Sequence, residues 1–416
     1  MSHIAVIGAG ITGLTTAYAL MDRGFEVTVF DKNRYAAMET SFANGGQLSA
    51  SNAETWTQWG TVLKGLKWML QADAPLLVNP RPTLHKIGWM AKFLANIPHY
   101  KANTVETVRM AIAARAVLFE MAEREGIDFD LENRGILHFY TSQKDMAHAR
   151  AVNTLLAEGG LTRRELSGAE VKDVEPALKG DYLGGFLTES DASGDIHKFS
   201  MGLARALVRR GATLRFGVDV GAVQTVDGGV RVTADGHDQA FDGVVVSAGI
   251  KSRAIAKTLG DTVDIYPVKG YSITVELKDE LSRKAAPWIS LLDDKAKIVS
   301  SRLGEDRLRI AGTAEFNGAN LDIRSDRVRP LVDWCEKHFP AVSTEHAVPW
   351  AGLRPMMPNM MPRVGRGSRQ GVFYNTGHGH LGWTLSAATA EMVADQVAME
   401  IAPSRPVHQP MVARAA

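Results

Sequence analysis

Three glycines at positions 8, 10 and 13 have the spacing G-x-G-x-x-G, and a carboxylate, Asp31, follows 18 positions after the last of them. Residues of these types at these intervals can hold a dinucleotide. Gly8 allows a tight turn, Gly10 lets backbone approach a pyrophosphate, and Gly13 lets a helix pack closely on the strand before it. The phosphates then lie over the helix N-terminus, where free N–H groups and the helix dipole favour negative charge. Asp31 is placed to accept hydrogen bonds from a ribose 2′-hydroxyl, which favours FAD or NAD over a 2′-phosphorylated cofactor. The glycines do not choose between FAD and NAD. Ala9, Ile11 and Thr12 complete the turn, and Lys32 stands beside the acid. A second cluster, NTGHGHLGWTLS (Asn375 to Ser386), sets three glycines and two histidines ahead of a helix of small residues.

Elements must position these groups. His3 to Ile7 is an apolar run that suits a buried parallel strand, Leu14 to Arg23 is helical in pattern, and Glu26 to Phe30 reads as a second strand ending at Asp31. Strand, glycines, helix, strand and acid thus occur in order within about 30 residues, the context the motif requires. Thr55 to Tyr100 is cut by Pro75, Pro80, Pro82 and Pro98 into short helices. Val105 to Glu125 has helical period, with Gly126 as its C-cap. Gly135 to Thr141 reads as a strand, and His197 to Arg210 as an amphipathic helix stopped by Gly211. Short strands follow at 213–216, 222–226, 230–233 and 243–247, with a hairpin turn at Asp227-Gly228-Gly229. Beyond Tyr266, segments such as 271–276 and 308–313 alternate, which suggests a largely antiparallel sheet and a second domain.

The totals limit the functions open to such a chain. At 416 residues, two or three substructures are expected. A net charge of +1 gives no global field to recruit nucleic acid or an anionic membrane. The single cysteine, Cys335, excludes an internal disulfide framework and a Cys-based metal cluster. The first twenty residues are apolar, but they lack a basic start and keep their glycines at fixed offsets, so they do not read as a signal peptide. No run of about 18 apolar residues reads as a membrane span. A cytoplasmic protein is expected.

Four passages carry a family resemblance: SFANGGQLS (Ser41 to Ser49), YPVKGYSIT (Tyr266 to Thr274), WAGLRPMMP (Trp350 to Pro358) and NTGHGHLGWTLS. With the N-terminal fingerprint they resemble bacterial FAD-dependent D-amino acid dehydrogenases of the small-subunit type, in the wider group of D-amino acid, glycine and sarcosine oxidases. The resemblance implies an α/β fold. A Rossmann-like FAD-binding domain would be built from segments 1–54, 190–262 and 345–416. A smaller substrate domain with a mixed or antiparallel sheet would take 55–189 and 263–344.

By the same resemblance, Gly377, His378, Gly379, His380, Leu381 and Gly382 pass the pyrimidine edge of the flavin, and the following helix aims its N-terminus there. Reduced flavin gathers negative charge at that edge, and fixed dipoles stabilise it. Ala43, Asn44, Gly45, Gly46, Gln47 and Leu48 run along the isoalloxazine, Ser41 meets the phosphates, Val220 lies on the adenine side, and Ala248 with Gly249 at a strand end near the cofactor. Arg354 matches the arginine that holds the substrate carboxylate, a task suited to a planar fork of donors. Tyr271 matches a tyrosine over the substrate, and His380 a second polar group of the pocket. Lys269 reaches toward the flavin or, more simply, sits solvated at a strand end. A cysteine near the arginine loop carries flavin covalently in sarcosine oxidase. Met356 and Met357 stand there instead, so FAD is expected to be non-covalent, and no metal is required.

The implied reaction is oxidative deamination of a D-amino acid, by hydride transfer from Cα to flavin N5. Electrons then go to an acceptor other than oxygen, such as quinone. The alternatives on the same scaffold are an oxygen-using glycine- or sarcosine-type oxidase and a D-proline or hydroxy-D-proline dehydrogenase. One departure bears on that choice: Asn359, Met360 and Met361 replace an acidic-glycine turn, so a different substrate side chain is expected. Finally, VLKGLKWML (Val62 to Leu70) and HKIGWMAKFLA (His85 to Ala95) mix Lys with Trp, Met and Leu. They would suit peripheral contact with the inner face of the cell membrane, and core helices with solvated lysines explain them equally well.

Overall fold

The computed structural model describes residues 2–68 and 74–403. The apolar run after Ser2 becomes β1 (His3–Ile7), and both its faces are buried. Ile4 and Val6 face one core, while Ala5 and Ile7 face another. Burial on both sides explains why the strand reads as continuous apolar sequence. β1 lies inside a six-stranded sheet, in the order β19 (Arg363–Arg366), β20 (Val372–Thr376), β13 (Gly243–Val246), β1, β2 (Glu26–Asp31), β9 (Thr213–Phe216). Neighbours are parallel except at the β19–β20 edge.

Four helices pack on the Ile4 side: α1 (Ile11–Asp22), α4 (Tyr100–Glu125), α7 (Ile196–Arg209) and α11 (Gly382–Glu400). The other side is covered by an antiparallel meander, β10 (Val220–Val226), β11 (Gly229–Ala234) and β12 (His237–Phe241), together with α8 (Ser252–Thr258). The expected hairpin at Asp227 to Gly229 joins β10 to β11. β12, rich in polar residues, had no apolar signal.

A second sheet is mixed and larger. Its order is β18 (Val348–Met356), β14 (Tyr266–Glu276), β17 (Arg307–Phe316), β16 (Ile298–Leu303), β15 (Ser290–Asp293), β5 (Ile136–Tyr140), β7 (Gly184–Thr188), β6 (Arg164–Ser167), with β4 (Leu76–Val78) added beside β17. The pairs β15–β5 and β17–β4 are parallel, the rest antiparallel. α10 (Ser325–His338) covers one face with Leu331, Trp334 and Cys335. α5 (Gln143–Glu158), α6 (Gly168–Val174) and α9 (Glu280–Ala285) complete the periphery, and β3 (Gln47–Leu48) pairs with β8 (Ala192–Ser193).

Two expected boundaries need correction. β18 falls within 345–416 yet pairs along its whole length with β14, so the chain crosses between the sheets only after Met356. α4 falls within 55–189 yet buries Ala114, Leu118 and Met121 in the core around α1, because its small and apolar positions complement α11. In the proline-cut region, α2 (Trp59–Trp68) and α3 (Leu84–Ala95) form as expected, with the short strand β4 between them. α3 buries Trp89, whose Nε1 donates to the Met356 carbonyl at 2.9 Å, and exposes Leu84, Ile87 and Leu94. Met69 and Leu70 of the expected membrane-facing segment lie outside the described residues. Among the described residues, no helix is long and apolar enough to cross a membrane.

Candidate active site

A cavity of about 450 Å³ opens at the carboxyl ends of β1, β2, β13 and β20 and runs to the N-terminus of α11. Ligands of open α/β sheets bind at such strand ends. The β1–α1 turn forms its floor. Gly8 has φ +109°, and a Cβ there would lie 2.5 Å from the Ser247 carbonyl. A Cβ on Gly13 would lie 1.8 Å from the Gly8 carbonyl, so only glycine lets α1 sit this close. Gly10, by contrast, faces open space with Ser41 at ordinary contact distance. α1 begins with no side-chain cap and no acid in its first turn, leaving donors free for an anion. Ser41 Oγ accepts the Ile11 N–H at 3.0 Å and so stands at that helix end. Asp31 accepts from the Ala9 and Asn33 N–H groups at 2.7 and 2.8 Å, which locks the turn to the end of β2.

Most of the expected residues meet here. Gly8, Gly10, Ile11, Thr12, Asp31 and Lys32 line the cavity at one end, Ser41 and Asn44 along its side. Val220, Ala248 and Gly249 line it beneath the meander, and Gly377, His378, Gly379, His380 and Gly382 close the other end, with Arg354. Ala9, Gly13 and Leu381 pack behind this surface.

The loop at 43–48 is anchored on the second sheet. The carbonyls of Ala43, Asn44 and Gly45 accept from Ser272, Arg309 and Ser301 of the second sheet. Trans peptide geometry then turns the N–H groups of Asn44 and Gly45 away from that sheet. Gly45 and Gly46 answer to packing: added Cβ atoms would lie 2.6 Å from Val299 and 3.0 Å from the Gly194 carbonyl. Gln47 is tied to Ser290 and Leu291, and Leu48 is buried beside α11. Only Asn44 of this loop lines the cavity.

Arg354 stands where the two sheets meet. Its guanidinium lies over Gly270, so close that a Cβ there would be 2.4 Å from it, and NH1 donates to the Thr313 carbonyl at 2.9 Å. Burial alone pulls its pKa down to about 10. Among the described residues no Asp or Glu forms an ion pair with it. His380 stacks on Trp56, centroids 4.7 Å apart, and its Nε2 faces the Asn52 carbonyl at 3.4 Å. A carbonyl only accepts, so Nε2 carries the proton and Nδ1 is left as a buried, unpartnered acceptor. Burial, then the nearby Arg354 charge, lowers its pKa to about 4, so the ring is neutral near pH 7. His378 turns its Nε2 to Thr389 at 2.9 Å inside α11.

Three expectations fail, each for a definite reason. Tyr271 lies on the opposite face of the second sheet from Arg354. Gly270 and Ser272 face the cavity side, so Tyr271, one residue out of phase, joins the core under α10 and donates to Glu315 at 2.9 Å. Lys269 is neither solvated nor near the cavity. It is fully buried on the same α10 face, bonded to Asn320 and the Asp322 carbonyl, with Glu315 at 3.5 Å. The turn at Asn359 to Met361 docks on α4 through Asn103 and Thr107 and does not line the cavity, so it gives no support for a changed substrate side chain.

Sequence reasoning missed Trp56, Ser247, Thr313 and Trp383. Thr313 had no signal in spacing or composition, since its place depends on a strand irregularity. Ser247 Oγ and Trp383 Nε1 are buried without a protein partner, and both residues line the cavity.

Over residues 3–396 the sequence matches the family described as FAD dependent oxidoreductase. A protein of Mesorhizobium japonicum named D-amino acid dehydrogenase 3 is 60% identical over 404 residues, 96% of this chain and 98% of its own. One of Paramagnetospirillum magneticum named D-amino acid dehydrogenase is 40% identical over 407 residues, 95% of this chain and 94% of its own. Among solved structures, glycine oxidase from Geobacillus kaustophilus has a TM-score of 0.74 at 21% identity, covering 99% of this chain and 100% of that one. L-proline dehydrogenase from P.horikoshii has 0.75 at 17%, covering 96% and 93%. At such identities the structural likeness concerns the fold alone.

The cavity fits the cofactor in that family description. An α1 N-terminus with no acid in its first turn and the space before Gly10 suit a pyrophosphate. α11, whose first turn also lacks a side-chain cap, opens at the far end. Cys335 lies buried under the second sheet with its thiol pushed up to about 12 by burial, and offers the cavity no covalent anchor.

Proposed function

Because the chain belongs to the family of FAD-dependent oxidoreductases, we propose that it oxidises a D-amino acid at Cα, with electrons passing on to an acceptor other than oxygen. One observation carries the reading. The guanidinium of Arg354 is enclosed at the end of the cavity with no carboxylate to pair with it, and an enclosed cation without a counter-charge calls for an anionic ligand. The name of the 60% identical relative supports the same substrate class.

In this reading the Gly8 to Gly13 turn and Ser41 hold the pyrophosphate, and Asp31 with Lys32 the ribose. Val220, Ala248 and Gly249 lie along the cofactor, and the loop Gly377 to Gly382 receives the flavin ring. FAD, when bound there, supplies the two-electron acceptor for the Cα hydrogen. Arg354 holds the substrate carboxylate by a charge-assisted fork and so orients Cα, a contribution made by position rather than acid strength. His380, neutral and stacked on Trp56, shapes the pocket wall beside Arg354. The substrate loses a hydride from Cα, and the iminium left behind takes up water to release a 2-oxo acid and ammonia. The electrons leave to a quinone or another carrier, and the exposed faces of α2 and α3 are the surface that would meet a membrane holding it.

The test is an anaerobic titration of the purified yellow protein with D- and L-amino acids, D-proline, 4-hydroxy-D-proline, glycine and sarcosine. Bleaching of the flavin band by D-amino acids, lost in Arg354→Ala, is the expected result. Rapid recovery of colour in air would instead assign an oxidase. Bleaching by none of them would overturn the amino acid reading.

A further inference from the structure

β10 stands at the edge of its meander. Consecutive residues from Val218 to Val223 line the cavity, so this segment presents the edge of a strand rather than one of its faces. A second wall of the same end is the turn Ser247 to Lys251 with the start of α8. The segment at 218–223 is held unevenly. At its start, the Gly217 and Val218 N–H groups donate to the Asn33 and Asp31 carbonyls at 2.7 and 3.0 Å, which fixes it to the end of β2. Val220 pairs with Ala234 and Ala222 with Thr233 on β11, but the register shifts between them. Val218 and Val223 are buried with Ala256 and Leu259, so the two walls meet at their base. Above that base, residues Asp219 to Gly221 form a strap along the cavity. Among the described residues, one polar contact ties the strap to the second wall: Lys251 Nζ donates to Asp219 Oδ1 at 3.0 Å and Oδ2 at 3.3 Å.

The place of this ion pair sets it apart from the others on the surface. Both members line the cavity, and they stand on its two separate walls, 32 residues apart in the chain. Lys32 and Glu39 also pair at this end, but they belong to one stretch of chain and join no second wall. The Lys251 side chain is 42% exposed and that of Asp219 67%, so their bond is open to water and to salt. Such a contact breaks readily. That makes it a poor support for the fold and a suitable closure for a site that must take up a large cofactor.

We propose that the Lys251–Asp219 pair is a clasp on the adenosine end of the cofactor site: it holds the strap against the turn at Ala248 to Lys251, and its opening sets how fast FAD leaves. This rests on the placement of the cofactor along Val220, Ala248 and Gly249. A planar base held between the two walls leaves only when they part. In this account neither charge touches the cofactor, and the two act as one unit.

The experiment uses the FAD-loaded protein, diluted into buffer holding phosphodiesterase, which cleaves released FAD to the more fluorescent FMN and prevents rebinding. The release rate is read for the parent, Lys251→Gln, Asp219→Asn, the double variant, and the exchanged pair Lys251→Asp with Asp219→Lys. Each single variant is expected to release FAD about threefold faster, the scale of an exposed ion pair. The double variant stays within about 1.5-fold of either single one, and the exchanged pair returns to within about 1.5-fold of the parent, as one coupled contact requires. Raising salt from about 10 mM to about 500 mM speeds release about threefold more in the parent than in the single variants. Release at the parent rate in both single variants overturns the proposal. So do effects that add in the double variant, or a loss in Lys251→Gln with none in Asp219→Asn, which would make the lysine a direct ligand of the cofactor. Ala248→Trp and the smaller Ala248→Leu, which fill the same groove, are measured alongside and are expected to lose flavin in that order. If folded forms of both keep the flavin content of the parent, the cofactor placement falls, and this inference with it. If they lose flavin while the clasp variants release it at the parent rate, the inference alone falls.

Discussion

Gly270→Ala isolates the position of one guanidinium from everything else in the fold. The added Cβ would stand 2.4 Å from the Cζ, NH1 and NH2 atoms of Arg354, where ordinary contact begins near 3.4 Å. The strand backbone is not what collides, so β14 keeps its pairing and the flexible arginine gives way by about 1 Å. That displacement also breaks the 2.9 Å bond to the Thr313 carbonyl, the only hydrogen bond found for Arg354 among the described residues. A misplacement of about 1 Å in a group that orients substrate costs on the order of 100-fold in rate, or about 2.7 kcal/mol of transition-state stabilisation. The assay is steady-state turnover of D-alanine with an artificial electron-accepting dye, beside the flavin-to-protein absorbance ratio and the melting temperature. kcat/KM is expected to fall about 100-fold, with flavin content unchanged and Tm within about 3 °C. Turnover within threefold of the parent would refute the placement of Arg354 at the substrate. Loss of flavin or of Tm in parallel with turnover would show instead that the strand had been disturbed.

Tyr271→Phe should behave in the opposite way. Removing the hydroxyl breaks its bond to buried Glu315 and is expected to cost about 1–3 kcal/mol in urea unfolding, with kcat/KM within about threefold of the parent. A large loss of turnover at unchanged stability would return the tyrosine to the active site. Acid should weaken the fold before it touches most carboxylates. Burial lowers the pKa of His138 and His378 to about 3, so each is neutral when folded and takes up a proton when unfolded below about pH 6.5. Their stabilisation is therefore fully present above pH 6.5 and lost as pH falls toward 3. Between pH 7 and 5.5 the pair accounts for about 2.5 kcal/mol. His380, lowered to about 4, adds a similar share, so His138→Phe should remove about 1.3 kcal/mol of the measured drop, and an unchanged drop would refute the assignment.

Much of this organisation is legible in the sequence where a local requirement fixes residue type. β1, the N-terminal turn and β9 lie where the apolar runs and glycines put them, because a Cβ at Gly8 or Gly13 would strike backbone whatever surrounds the turn. The helix expected from Val105 ends at Gly126 as predicted, with φ +62° at the cap, yet starts at Tyr100, since the turn at Ile97 to His99 feeds straight into it. The loops that carry the resemblance bring Arg354 and His380 to the cavity lining. Tyr271 was not placeable by the same means. Its side of the sheet depends on strict alternation from Gly270, and nothing in YPVKGYSIT says which of the two faces meets the cavity. Thr313 was beyond reach for a related reason: the bulge that gives it φ +60° exists only once β14 and β17 are paired.

The two faces of that sheet also show how a charged group in an enclosed place reveals its purpose. On the α10 face, Lys269, Glu315 and Tyr271 are all buried, and each finds its partners within the chain: the lysine two oxygens and a carboxylate, the tyrosine the same carboxylate. Such a closed set needs nothing from outside and acts on stability. On the cavity face, Arg354 lacks a counter-charge, and its one hydrogen bond among the described residues is to the Thr313 carbonyl. A cation left without a counter-charge at the cavity wall matches an anionic group on a small ligand. A core that had merely tolerated polar residues would be expected to pair them with each other, as it does a few ångströms away through the same strands.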